Sequence, residues 1–477
     1  RRAQRQQTLQ AAMDWSWDLL SEDEQMCLRR LAVFSGTFTL EAAESVVAMP
    51  RTVDLIRSLV AKSLVNLEDV AATTRYRLLE TVRLYAQERM VASGEAKERR
   101  DAHRDYYMGL FGSITWEAFV DLRVIADCLA DYGNHRAALD WSDAQGDQDA
   151  VARLGWAVGA TWIHSPALRD EAERWLRRVG EDEAQPPPVR ADAYTDLATL
   201  AIVAGDLAAV VPLAEHAIEL SDQGIAYGMA LWALGRYDEA VVVARAADEP
   251  AMVRWCNAWA VGPQLAVDPS GALARYQEIL AESDAERPAW DSWWALLGSV
   301  LARLLIEDAE AALGDARRLD SMLRTFASWG GSLFHYAGVP EAMALAQLGR
   351  FDDARAVLRD VAAATLRDHY PLMGTDCVIA LGYIALRQGD LVGGAMLIEL
   401  AIRDGRFRCQ PLYFFVGRIL HELRIRSEGV DLQTPLPTVH EYIDKIRRIM
   451  ADEEPRDPVL TATLEAVLED FVANAGR

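Results

Sequence analysis

Lysine is nearly absent: only Lys62, Lys97 and Lys445 occur among 477 residues, beside 46 arginines. None of the three follows a glycine, so there is no Gly-Lys-Ser/Thr phosphate loop and no lysine placed to reach nucleotide phosphates. Cysteine is equally sparse. Cys27, Cys128, Cys256, Cys377 and Cys409 never fall closer than 32 residues apart, which excludes a CxxC metal knuckle and a disulfide scaffold. Free buried thiols in a reducing cytoplasm are expected. No HExxH or GxSxG occurs, and the eight histidines are scattered, so neither a zinc-hydrolase nor a serine-hydrolase site is indicated. Charge-free apolar runs are short, the longest being Trp255 to Val267 and Phe326 to Pro340. Both fall below the ~18 residues of a membrane span. The chain opens Arg1-Arg2 with no methionine and no apolar segment after it, which reads as a piece of a longer protein without a signal peptide.

What is present describes a large folded protein of about three domains, or fewer if one is a repeat array. Hydrophobic residues make up 51%, charged residues 25% and aromatics 8%, ordinary values for a soluble chain. The net charge of −23 is uneven. Residues 1–104 hold 16 basic against 15 acidic residues, and residues 105–477 hold 33 against 57. A surface as acidic as the second part repels nucleic acid and anionic membranes, so any nucleic-acid contact falls to the first hundred residues. The arginine-for-lysine skew and abundant alanine suggest a GC-rich bacterial genome.

Along the first hundred residues, Thr8 to Leu20 is helix-like, and Ser21 with Glu24 forms a capping box opening a second helix. Thr39 caps a third, Leu40 to Ala48, and Thr52 caps a fourth, Val53 to Lys62. Strand-like runs at Leu64 to Leu67 and Arg75 to Leu79 make a hairpin, followed by a helix over Thr81 to Met90. Helices plus a hairpin predict a winged helix. Beyond it strand signals vanish, and one turn type recurs at Gly205-Asp206-Leu207, Gly235-Arg236-Tyr237, Gly349-Arg350-Phe351 and Gly389-Asp390-Leu391. Two weaker turns near Gly271 and Glu307 complete a spacing of about 30 to 42 residues, the range of helix-pair repeats. The small residues Gly228 and Ala240, Ala342 and Ala354, and Gly382 and Gly394 are expected where helices pack closely. The fold class is therefore all-α: an N-terminal winged helix of three or four helices plus a β-hairpin over 1–104, a tetratricopeptide-like α-solenoid over 105–434, and a helical cap over 435–477. That cap is expected to carry one helix from Pro435 to about Met450, a charged turn, and a last helix ending at Val472.

Four blocks in order, Thr8-Leu9-Gln10-Ala11-Ala12-Met13-Asp14-Trp15-Ser16, Phe34-Ser35-Gly36-Thr37-Phe38-Thr39-Leu40, Leu59-Val60-Ala61-Lys62-Ser63-Leu64-Val65 and Tyr76-Arg77-Leu78-Leu79-Glu80-Thr81, carry a resemblance. They resemble the winged-helix segment of bacterial STAND-class signalling ATPases and transcriptional regulators of the NB-ARC, LuxR and AfsR types. Arg136-Ala137-Ala138-Leu139-Asp140-Trp141 and the stretch around Trp175 are similar to the helices that begin the repeat array in such proteins. The resemblance implies an upstream ATPase module against which the winged helix docks, and an array that binds an inducer or protein partner. It also implies a nucleotide-sensing His in a Met-His-Asp motif; the matching positions here are Leu78, Leu79 and Glu80, with Leu79 where that His would stand. This chain would then be the regulatory and sensor segment, cytoplasmic, no enzyme itself, with no cofactor in this chain and no membrane contact.

The other reading is a repeat scaffold whose winged helix contacts DNA, with Arg57, Lys62, Arg75 and Arg77 as the candidate contacts. The Thr52 to Lys62 helix is apolar for a recognition helix, which favours intramolecular docking, and the Arg75 and Arg77 pair is expected on a solvated face. For the array, Trp293, Trp294, Trp329, His335 and Tyr336 are candidates for a partner groove on the concave side. Trp293 and Trp294 are consecutive and so cannot both enter one helix interface.

Overall fold

The computed structural model describes residues 11–419, apart from 12, 71–72, 112–120, 164–167, 205, 284–288, 325–334, 369–370, 391–392, 396, 399–400, 402–411 and 413. The cap expected over 435–477, Cys409, Lys445 and Trp329 lie outside the described residues. The chain forms two compact units. The first comprises Arg1–Thr115 with Ala126–Thr161, the second Trp116–Ile125 with Trp162–Arg477.

In the first unit, α1 (Glu22–Leu31) starts at the capping box, with the Ser21 hydroxyl accepting from the Glu24 N–H and the Glu24 carboxylate accepting from the Ser21 N–H. Thr39 caps α2 (Leu40–Val47), which ends on Ala48 in the left-handed conformation. The helix α3 (Thr52–Ala61) starts one residue earlier than expected. Arg51, at φ +61°, is its cap, and the Thr52 hydroxyl instead donates back to the Met49 carbonyl. The wing strands are β2 (Asn66–Val70) and β3 (Thr73–Arg77), shifted by about two residues from the sequence expectation. A third strand, β1 (Thr37–Phe38), pairs antiparallel with β3 and makes the sheet order β1-β3-β2. Two residues are too few for an alternation pattern, so this strand carries no sequence signal. Then follow α4 (Glu80–Ala92), α5 (Ala96–Phe111), α6 (Leu122–Ala130), α7 (Tyr132–Ala144) and α8 (Gln148–Ile163).

Phe34 stacks on Phe38 with ring centroids 4.4 Å apart, over a core of Leu28, Leu31, Val46, Val47, Ile56, Leu59 and Met90. The boundary expected at residue 104 falls inside α5, which packs on both α2 and α7, while α7 also meets β1. The winged helix shares its core with these helices.

The second unit is helical throughout its described residues apart from a lone bridge between Asp121 and Ala289. Its helices are α9 (Arg169–Glu181), α10 (Pro187–Ala204), α11 (Leu207–Leu220), α12 (Gly224–Ala233), α13 (Tyr237–Ala246), α14 (Pro250–Ala260), α15 (Pro269–Glu282), α16 (Trp290–Leu305), α17 (Ala309–Arg324), α18 (Gly338–Gln347), α19 (Phe351–Asp368) and α20 (Pro371–Gln388). Each packs on its sequence neighbour, and α10 with α12, α14 with α16, α16 with α18, and α18 with α20 pack across alternate helices. That is helical-hairpin stacking. Gly235, Gly349 and Gly389 hold φ values of +74°, +75° and +96°, as the recurrent turn requires. Glu307 takes φ +63° at one of the two weaker turns, whereas Gly271 lies inside α15, whose cap is Asp268. Late residues also reach back: α10 touches α20, and the Arg418 guanidinium donates to the Ala266 carbonyl at 3.1 Å. The unit curves onto itself. Among the described residues no helix is long and apolar enough to cross a membrane.

Candidate functional site

The four basic residues that could touch DNA each face a carboxylate of their own unit. Arg57, on the exposed side of α3, lies 3.9 Å from Asp54. The Lys62 ammonium is 2.5 Å from Glu24, which also accepts from the Ser58 hydroxyl. Burial would raise the Glu24 pKa, but the bonds from Lys62, Ser58 and the Ser21 N–H outweigh it and hold the carboxyl at about 2. Arg77 lies 3.3 Å from Glu68 across the hairpin.

Arg75 departs from expectation most. It is 2% exposed, neither on a solvated face nor within reach of a duplex. The reason is a partner 56 residues away: its Nη2 donates to the Asp131 carboxylate at 2.5 Å, and its Nε donates to the Thr37 hydroxyl.

Asp131 collects further donors. The Tyr107 hydroxyl reaches it at 3.0 Å and the Asn134 amide at 3.2 Å; the same amide donates to the Thr37 carbonyl, and the Asn134 oxygen accepts from the Ser35 N–H. Gly133 sits tight against the Ser35 carbonyl, where a Cβ would collide, so α7 is pressed onto the turn before β1. His103 lies between Phe34 and Tyr107, and burial drops its pKa to about 4, with Asn134 opposing. His135, bonded to the Leu154 carbonyl, is lowered by burial to about 3. Both are neutral at pH 7. Sequence reading missed this network, because its members come from separate stretches around Ser35 and Thr37, Arg75, His103 and Tyr107, and Asp131 to His135, which share no local pattern. The cluster is a structural clasp. Among the described residues no three His, Cys, Asp or Glu side chains converge on a metal position.

In the second unit the groove candidates divide. His335 is exposed and Trp329 is outside the described residues, but Trp293, Trp294 and Tyr336 are 1%, 9% and 3% exposed, so they are no open groove. The consecutive tryptophans are both covered because α16 has neighbours on several sides, namely α14, α15, α17 and α18. Trp294 turns to Trp259, centroids 4.2 Å apart, and Trp293 to Tyr336 at 5.2 Å. Trp232 of α12 meets Trp259 of α14 edge-on at 5.2 Å, and Trp255 lies 5.9 Å from Trp232. The aromatics form a continuous internal arc. Leu79, at the cap of α4, is 50% exposed and offers no imidazole for a nucleotide phosphate.

Comparison with known proteins agrees with the first unit. Residues 20–91 match the winged helix-turn-helix domain family. The chain is 41% identical over 208 residues to proteins named "Putative HTH-type transcriptional regulator" from Mycobacterium tuberculosis and Mycobacterium bovis, a match covering 41% of this chain and 23% of theirs. A Mycobacterium tuberculosis protein of unassigned function is 42% identical over 97 residues, 19% of this chain and 25% of its own. The chain thus spans about a quarter of the length of the curated relatives it matches. Among solved structures, a Pyrococcus horikoshii signal transduction ATPase with numerous domains and a tetratricopeptide repeat sensor gives a TM-score of 0.36 at 15% identity, covering 86% of this chain and 66% of that one. A human IFIT1 dimer gives 0.38 at 13% identity, covering 97% of each chain. TM-scores this low assign no fold by themselves. On sequence match and architecture together, residues 20–91 are a member of the winged helix-turn-helix domain family, joined in this chain to an array of helical hairpins.

Proposed function

We propose that this chain is the regulatory and sensor segment of a transcriptional regulator, in which the winged helix docks on a nucleotide-binding module of the full-length protein and the hairpin array binds an inducer or protein partner. The observation that carries this reading is the state of the basic residues. Lys62, Arg75 and Arg77 are each engaged by a carboxylate, and Arg57 has Asp54 beside it. A duplex would have to displace those carboxylates from a domain with little surplus positive charge, and phosphate contacts supply most non-specific affinity. Apolar side chains are exposed instead: Leu67 on β2, Leu79 before α4 and Leu84 on it, a surface suited to protein rather than phosphate.

The chain is proposed to have no enzymatic activity of its own, because neither a Gly-Lys-Ser/Thr phosphate loop nor HExxH nor GxSxG occurs in the sequence. Calorimetry should detect no ATP binding to the 477-residue chain, and micromolar affinity would overturn that assignment. Fluorescence anisotropy with duplex DNA at physiological salt should show only weak, sequence-independent binding. Submicromolar sequence-specific binding would establish the DNA-binding reading in its place.

A further inference from the structure

We propose that Trp232, Trp259 and Trp294 form the donor face of a binding site for a small, flat, uncharged molecule carrying oxygen acceptors. The proposal deepens the sensor reading above and rests on it. These three indoles stand on α12, α14 and α16, the alternate helices of three successive hairpins, and touch in series at 5.2 and 4.2 Å. All three are at least nine-tenths buried, and none of their Nε1–H groups meets an acceptor among the described residues. A buried N–H donor without an acceptor is rare enough to need a reason. Three such donors sit on rings that touch in series at 83° and 50° to one another, and no acceptor among the described residues receives them.

The chemistry of the surroundings selects the ligand. Residues 105–477 carry 33 basic against 57 acidic residues, a field that opposes an anion. A cation would need a carboxylate. Asp376 of α20, beside Tyr336 and so reached from the arc through Trp293, is fully buried. Burial pushes its pKa up to about 8, the Tyr336 hydroxyl offsetting only part, so it is protonated at neutral pH and carries no fixed charge. What remains is a set of N–H donors beside aromatic faces, which a planar ring with carbonyl or ring oxygens satisfies by stacking and hydrogen bonding together.

Coumarin, a flat neutral lactone, is the probe, with coumarin-3-carboxylate as its charged counterpart, both titrated calorimetrically into the full 477-residue chain. Coumarin should bind one-to-one, and the carboxylate about tenfold more weakly or not at all. Trp259→Phe and Trp294→Phe each keep an aromatic ring and remove the N–H; each should weaken coumarin about tenfold while the melting temperature stays within a few degrees. Should Trp259→Phe unfold the chain, Trp294→Phe removes a second donor of the same set. Absence of coumarin binding, equal affinity for the two probes, or unchanged affinity in Trp294→Phe overturns the proposal, the N–H groups then being held by neighbouring ring faces. The sensor reading fails separately: it falls if removing the second unit from the intact regulator leaves inducible reporter expression unchanged.

Discussion

Arg75 shows how much one residue's role depends on a partner. In the sequence it is one of two arginines on a wing strand, and in the structure it is a buried cation held by Asp131. Breaking a buried pair from one side leaves the other charge uncompensated, at about 3 to 5 kcal/mol. Asp131→Ala should therefore destabilise the first unit by that order in urea unfolding, whereas Arg75→Met, which strands the Asp131 carboxylate but leaves it the Tyr107 and Asn134 donors, should be milder. Equal effects would mean that the ion pair with Arg75, rather than the bonds from Tyr107 and Asn134, carries what Asp131 contributes.

Titration separates the two units at the same scale. His103 has a folded pKa of about 4 against an ordinary 6.5, so the unfolded chain takes the proton first and stability falls as pH drops from about 6.5 toward 4. His135 acts in the same direction. Asp376 works oppositely. Its folded pKa of about 8 lies above the ordinary 3.8, so its contribution is full below about 4 and is lost as pH rises toward 8. Asp376→Asn should flatten the pH dependence of the second unit's melting between pH 5 and 8 and raise its stability at pH 8. A slope identical to the parent's would exclude Asp376 as the titrating group.

At the scale of elements, the Ser21 capping box, the Thr39 cap and the turn glycines follow from short-range chemistry and were readable. Close helix contacts were readable in part. Gly382 and Gly394 do meet: a Cβ on Gly382 would stand 2.9 Å from the Gly394 carbonyl oxygen, and a Cβ on Gly394 would stand 2.6 Å from the Gly382 carbonyl oxygen. Gly228 is tight as expected, though against Met252 of α14 rather than Ala240. Gly382→Ala forces two backbones apart and should destabilise by about 1 to 3 kcal/mol in thermal or urea melts. Gly349→Ala meets nothing within 4 Å and strains only φ, so about 1 kcal/mol is expected. If Gly349→Ala proved the worse of the two, helix separation would not be what limits the packing there. The strand β1 escaped notice because two residues pair only when β3 is already in place.

At the scale of the whole molecule, the order of a winged helix followed by helical hairpins was legible from its punctuation: caps, glycine turns and the change from strand to helix periodicity. These act over three or four residues, so the sequence alone determines them. It also determined the lack of a phosphate-binding lysine and the acidity of the second part. Tertiary structure alone decided which groups became partners. It took Arg75 out of solvent, covered both Trp293 and Trp294, brought Asp131 under three donors and carried Arg418 to Ala266, 152 residues away. The physical reason is that burial depends on every helix packed around a residue. A local pattern specifies which face of a helix is apolar, but whether a polar atom on it meets an acceptor is settled only when distant chain closes over it.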